Sequence, residues 1–255
     1  MRQSGYRLAH ILFVYMIINM VSNKEFKKNI SEKKLIILGE IHGAEVNPKI
    51  IKAFVRTFHI RNILIEVESR HKKAFTYLKR GEYSKFFKLL RKDSWLFEAG
   101  LMGASHMKLF QKYLRSGMRI IPVKVEHKNW NTAEIKTAFN IKKTLENIND
   151  NPALLIVGHL HARRVNFRLN KALYKPLGSL LEEDAVSVQI RYSKGKIFNF
   201  KEIEIKDNVA QRFILSGIEG LVPSSSRFFD YFYIVPNTKA LKLAKYKFCN
   251  HVFSH

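Results

Sequence analysis

Lys34-Leu-Ile-Ile-Leu-Gly-Glu-Ile-His42 is a short, nearly continuous apolar run that ends in a carboxylate and a histidine. A run of this kind reads as a strand covered on both faces, as strands of parallel sheets are. Three further segments repeat it: Asn62-Ile-Leu-Ile-Glu-Val-Glu68, Arg119-Ile-Ile-Pro-Val-Lys-Val-Glu-His127 and Ala153-Leu-Leu-Ile-Val-Gly-His-Leu-His161. Open α/β sheets bind ligands outside the carboxyl ends of their strands. Polar residues gathered at four such ends therefore predict a polar cleft.

Between these runs the spacing is helical. Asn47-Pro48 is turn chemistry with proline suited to a first helical turn, and Ile50, Ile51, Phe54, Val55 and Phe58 follow at helical intervals. His71 to Arg91 predicts one helix or two, with a break at Gly81, and Ser105 to Arg115 another, with Ser105 as N-cap and Gly117 at its end. Thr132 is the expected N-cap of a helix whose buried stripe is Ala133, Ile135, Ala138, Ile141, Leu145 and Ile148. The order up to residue 161 predicts an α/β fold, a mostly parallel sheet flanked by helices on both faces. Additional C-terminal strands are expected at Ala185–Tyr192, Lys196–Ile205 and Phe228–Val235, the first two joined as a hairpin through Ser193-Lys194-Gly195, and a short basic helix at Ala240–Phe248. The organisation expected is an apolar helix or leader over residues 1–30, then a single α/β domain with a basic tail over 31–255.

At 255 residues and 46% hydrophobic the chain can bury one sizeable core, which excludes a disordered class. Its net charge of +24 favours anionic ligands. The charge is spread along the chain and no nucleic-acid motif focuses it, so nucleic acid is a partner suggested by charge alone. The lone cysteine, Cys249, excludes an internal disulfide and a cysteine-rich zinc site. Arg2 and Arg7 precede the apolar run Leu8–Val21, which has no small-x-small cleavage site after it and, at about 14 residues, is short for a span of ~20. The expected location is cytoplasmic if this run packs on the domain, and exported or membrane-anchored if residues 1–22 are a signal.

Side chains two apart on a strand point the same way, so Glu40 and His42 are expected to project together, as are His159 and His161. A single Glu-x-His is more often structural than functional; five such residues at strand ends point to a site. Glu66 is the sharpest case, because Ile-Leu-Ile-Glu-Val buries a carboxylate, which costs several kcal/mol unless it is paired. Arg163, Arg164 and His106 are the substrate-binding candidates: the arginines can bind a carboxylate or phosphate, and His106 opens a helix, where the usual place is the surface and the alternative is the cleft. Of Glu126 and His127, which are neighbours on a strand, at most one can face the site. Trp95, Tyr231 and Tyr233 read as pocket wall or core. Gly-x-Ser-x-Gly, P-loop and Gly-x-Gly-x-x-Gly motifs are absent.

Leu38-Gly-Glu-Ile-His-Gly43, Glu66 and Val157-Gly-His-Leu-His-Ala162, in that order and followed by Phe229-Asp-Tyr-Phe-Tyr-Ile-Val-Pro236, resemble the superfamily that groups haem-uptake lipoproteins, Tiki-type proteases and erythromycin esterase-like hydrolases. The resemblance covers roughly residues 34 to 240 and implies Glu40, His42, Glu66 and His159 or His161 around one cleft. The Glu-x-His spacing is closer to the haem-uptake branch, since esterase-like members have one more residue between the two. The Tiki branch is metal-dependent but begins with a different polar residue where Glu40 stands.

The first functional expectation is a hydrolase acting on an ester or amide of a small molecule or peptide. His42, oriented by Glu40, activates water there, with Glu66 as a second acid/base and His159 or His161 stabilising the oxyanion. If a divalent metal takes part, Glu40, His42, Glu66, His159 and His161 are its donor set. The second expectation is a protein that binds haem or another anionic planar ligand, with histidine or tyrosine as axial ligand. The third is a nucleic-acid-binding module.

Overall fold

The computed structural model describes residues 24–91, 95–148, 152–169 and 171–241. The apolar run at residues 8–21, and the basic helix expected at Ala240–Phe248 from residue 242 onward, lie outside them. The chain is α/β, as its alternation predicts. Strands β1 (Leu35–Glu40), β2 (Asn62–Glu68), β3 (Arg119–Lys124), β4 (Ala153–Gly158), β7 (Ala185–Asn199) and β10 (Tyr231–Thr238) run parallel in the order β3-β2-β4-β1-β7-β10. An antiparallel strand, β9 (Gly220–Pro223), closes one edge, and β8 (Lys201–Lys206) folds back on the far half of β7. A separate two-stranded ribbon joins β5 (Phe167–Leu169) to β6 (Ala172–Tyr174).

Two layers of apolar packing sandwich the sheet. On one face Ile36, Leu38, Ile63, Ile65, Leu154 and Ile156 meet α1 (residues 24–31), α2 (Asn47–Thr57), α3 (Lys72–Arg80), α4 (Tyr83–Leu90), α5 (Trp95–Glu98) and α6 (Ala104–Arg115). On the other, Leu35, Ile37, Leu64, Leu155 and Val157 meet α7 (Trp130–Glu146), α8 (Leu177–Leu180) and α9 (Asn208–Leu215). Both sets are almost free of solvent, which explains runs without polar alternation. Each such side chain contributes about 1.5–3 kcal/mol. Pro48 sits in the first turn of α2, where a missing N–H costs nothing, and Gly81 ends α3 in the left-handed conformation at φ 78°.

Three local expectations are corrected. The expected hairpin through Ser193-Lys194-Gly195 does not form: β7 continues through Gly195 to Asn199 and turns at Phe200, φ 56°. At Gly195 the backbone passes so close to Thr238 that no Cβ could fit, so the glycine keeps the strand straight against its neighbour β10 rather than turning it. The N-cap of α7 is Asn129, whose side chain accepts from the Thr132 N–H, so the stripe shifts: Glu134, Thr137, Ala138, Ile141 and Leu145 are buried and Ile135 is exposed. Gly103, not Ser105, caps α6.

β4 lies between β1 and β2, so their three carboxyl ends are adjacent, with Glu40 level with Gly158. At Gly39 a Cβ would fall 2.6 Å from the Ala162 Cβ and 3.3 Å from the His159 Cα. Gly39→Ala is expected to cost about 1–3 kcal/mol by overpacking, read as a lower urea midpoint with an unchanged slope. An unchanged midpoint would contradict this close approach.

Candidate active site

By strand alternation Glu40 continues the row Ile36–Leu38 toward α6, whereas Glu66 continues the row that contains Leu64 toward α7. The two carboxylates therefore stand on opposite faces of the sheet. A bulge sharpens the placement of Glu66: between Ile65 and Glu68 the register of β2 against β3 slips by one residue. Ile65 pairs there with Pro122, which has no N–H to give the ladder, and bulges of this kind re-aim the side chains that follow.

His42 joins the two faces. Its Nδ1 lies 3.1 Å from Glu40 Oε1 and its Nε2 lies 3.8 Å from Glu66 Oε2. The imidazole thus lies across the end of β4, where a Cβ on Gly158 would be only 3.0 Å from Nε2. A carboxylate accepts, so Nδ1 carries the donated proton and Nε2 holds the lone pair. The side chain is 21% exposed, which gives that lone pair access to a substrate.

Glu66 gathers the remaining groups. It accepts the Gly158 N–H at 2.9 Å and Lys124 Nζ at 3.2 Å, and His161 Nε2 lies 3.2 Å away. Burial would raise the pKa of this carboxyl; the charges of His161 and Lys124 reverse that and hold it well below the ordinary carboxylate value. Glu66 is therefore an anion, and the expectation that it is buried and paired is met.

His161 is clamped from its other side by Glu134, with 2.8 Å between Nδ1 and Oε1. Glu134 Oε2 accepts the Leu177 N–H at 3.0 Å. Burial pushes His161 down, but the two carboxylates more than offset it and its pKa is raised to about 10. Both ring nitrogens donate to carboxylates, so this residue is an imidazolium and not a base. Trp130 stacks on it, ring centroids 4.5 Å apart and planes within 9°, and Tyr174 of β6 packs edge-on against Trp130 at 5.2 Å.

His159 and His161 do not share a strand face. β4 ends at Gly158 and the chain turns, with the His161 N–H donating to Gly158 O at 3.0 Å. The period of two lapses there, and His161 swings toward Glu66. Burial, then the charge of Arg163 and of the neighbouring histidines, lowers the His159 pKa to about 4, so its ring is neutral. His106 is buried rather than at the surface; its Nδ1 accepts the Gly103 N–H, its Nε2 has no partner, and burial lowers its pKa against the opposing pull of Glu40.

The arginines part company. Arg163 lies over the Phe167 ring at 4.4 Å, close enough to act on His159. Arg164 is not in the cleft: it donates to Glu182 O and Ala185 O and pairs with Asp230, near the amino end of β7. Glu126 and His127 are exposed, and neither reaches the site. Tyr231 packs against Phe26, and Tyr233 against Phe54, as core. The side chain of Trp95 lies outside those described.

Three residues of the site carried no flag in the sequence reading. Glu134 had a readable signal, an acid in the stripe Glu134-Ala138-Ile141-Leu145 of a buried helix face. Lys124 ends β3 and was hidden among many lysines, and Trp130 had no local signal.

The donor set does not fit a divalent cation. Both ring nitrogens of His161 are already on carboxylates and Lys124 sets its own charge on Glu66, so His42 Nε2 is the open ring nitrogen beside that carboxylate. Among the described residues no three His, Cys, Asp or Glu side chains converge as metal ligands. For haem, the buried hydroxyls of Tyr192 and Tyr231 are bonded to Asn47 and Asn29, which leaves His42 and His159 as the donors at hand.

Solved structures share this architecture. A mutant erythromycin esterase in its open conformation matches with a TM-score of 0.63, covering 85% of this chain and 94% of its own at 10% identity. The fold is similar to that of an esterase. A succinoglycan biosynthesis protein matches at 0.53 over 86% of this chain and 92% of its own, with 10% identity. The type III effector HopBA1 matches at 0.51 over 85% and 94%, with 12% identity. No family profile and no curated protein sequence matches the chain. The superfamily resemblance read from the Glu-x-His and His-x-His motifs is thus borne out at the level of the fold.

These charges set the pH response. His161 is raised from 6.5 to about 10, so its contribution is complete below pH 6.5 and is lost as pH rises through about 10. His159 is lowered to about 4, so stability also falls as pH drops from 6.5 toward 4, and Glu66 adds to that loss below 4.5. Urea unfolding is expected to show maximal stability near pH 6.5, with an alkaline limb that is shallower in Glu134→Gln. A limb of equal slope in that variant would contradict the clamp.

Proposed function

We propose that the chain is a hydrolase of carboxylic esters or amides in which His42 is the general base. The observation that carries this reading is the Glu40–His42 pair, whose Nε2 lone pair is turned to the open sheet edge above Gly158. The esterase fold supports it.

In this reading His42 Nε2 removes a proton from water as the water oxygen adds to the substrate carbonyl carbon. The carbonyl π pair moves to oxygen, and Glu40 balances the charge of the new imidazolium. Lys124 and the neutral His159 ring are the cleft groups that can donate to the oxyanion. As the carbonyl re-forms and the bond to the leaving group breaks, the His42 proton passes to the leaving oxygen or nitrogen. Glu66, 3.8 Å from Nε2, favours the imidazolium that forms there, and His161, with both nitrogens committed, holds Glu66 in place.

A panel of small aryl and alkyl esters and amides tests the reading. His42→Ala is expected to lose about 10²–10⁴-fold in kcat with circular dichroism unchanged. Glu40→Gln should lower kcat in the same direction and leave KM nearly unchanged. Full turnover in His42→Ala would exclude it as the base.

A further inference from the structure

The ribbon of β5 and β6 stands beside the cleft and is tied to α7. Asn131 Nδ2 donates to Leu173 O at 2.9 Å, and the Lys175 N–H donates to Asn131 Oδ1 at 2.8 Å. Asn131, Ile135 and Phe139 follow at intervals of four, so they share one stripe of the helix. Ile135 is 49% exposed and Phe139 71%, a large apolar area to leave in water. The stripe runs into the ribbon, where Leu169 pairs across with Ala172 and Leu173 with Arg168. The two leucines therefore point to opposite sides near the ribbon tip, and both are nearly half exposed.

The same surface is basic. From Arg163 to Lys175 the chain has five Lys and Arg and no Asp or Glu. Arg168, Lys171 and Lys175 are exposed, as is Lys136 beside Ile135 on α7. A second copy of the chain would bring another +24 against this face, so self-association is opposed by charge. A nucleic acid would meet the lysines and arginines but leave Leu169, Leu173, Ile135 and Phe139 without partners. An anionic bilayer satisfies both: acyl chains accept the apolar side chains while the headgroups meet the cations.

We propose that the exposed stripe of α7 and the β5–β6 ribbon dock the protein on an anionic lipid surface. The ribbon is two rings from the site, because Tyr174 packs on Trp130 and Trp130 on His161. Docking therefore brings the mouth of the cleft to the interface. The docking does not depend on the hydrolase reading; if both hold, the substrate class is an ester or amide presented at a bilayer.

The test is sedimentation of the full chain with vesicles of phosphatidylcholine, with and without a quarter of phosphatidylglycerol, at low and high salt. The intact protein is expected to partition onto the anionic vesicles, less at high salt, and little onto neutral ones. Phe139→Ser/Leu169→Ser/Leu173→Ser is expected to bind at least about tenfold more weakly, with the fold retained by circular dichroism, since Phe139 faces solvent and the two leucines are nearly half exposed. Arg168→Glu/Lys171→Glu should lose the preference for phosphatidylglycerol. Three results would overturn the proposal: no partitioning of the intact protein, undiminished partitioning of the triple serine variant, or an oligonucleotide that competes while the serine variant binds it as tightly as the intact chain does.

Discussion

A carboxylate taken out of water at the end of a parallel sheet must be met by charge, and around Glu66 that requirement organises the site. The Gly158 N–H, Lys124 and His161 answer it directly, from β4, β3 and the turn after β4. His161 is in turn a buried cation, and one carboxylate would leave its second nitrogen without a partner, so Glu134 closes the other side from α7. The charges alternate from Lys124 to Glu66, His161 and Glu134, and the chain of contacts crosses from the sheet edge to a helix. Of the two imidazoles that touch Glu66, the one left with an open lone pair is His42.

Glycine makes that possible. The two carboxylates of the site face opposite sides of the sheet, and a single imidazole can touch both only by lying over the strand between them. β4 supplies no side chain at that level, because residue 158 is glycine and a Cβ there would crowd His42 Nε2. Gly39, one strand away, lets Ala162 and the turn of His159 settle against β1. The polar cluster and the small residues beneath it are one device.

Much of this was legible in the chain. Runs without alternation gave buried parallel strands, and carboxylates and histidines at their ends located the cleft edge. Glu66 announced itself as an acid inside an apolar run. What periodicity could not show was where it stops: the turn after Gly158 separates His159 from His161, and the glycine at 195 continues a strand where a hairpin was expected. Glu134 needed the correct face of α7, which depended on whether Asn129 or Thr132 capped the helix. Arg164 illustrates the converse. Adjacent arginines look alike in sequence, yet one lies near the cleft and the other fastens the far end of β7.

Neighbouring imidazoles of the cleft hold different protonation states, His42 with a lone pair on Nε2 and His161 with protons on both nitrogens. Long-range ¹H–¹⁵N correlation spectra of imidazole-labelled protein at neutral pH read this directly, with His42→Ala and His161→Ala used for assignment. His42 is expected to show one protonated Nδ1 and one unprotonated Nε2, and His161 two protonated nitrogens that persist well above pH 6.5. A proton on Nε2 of His42 with Nδ1 bare, or a His161 that deprotonates at its ordinary pKa, would contradict it.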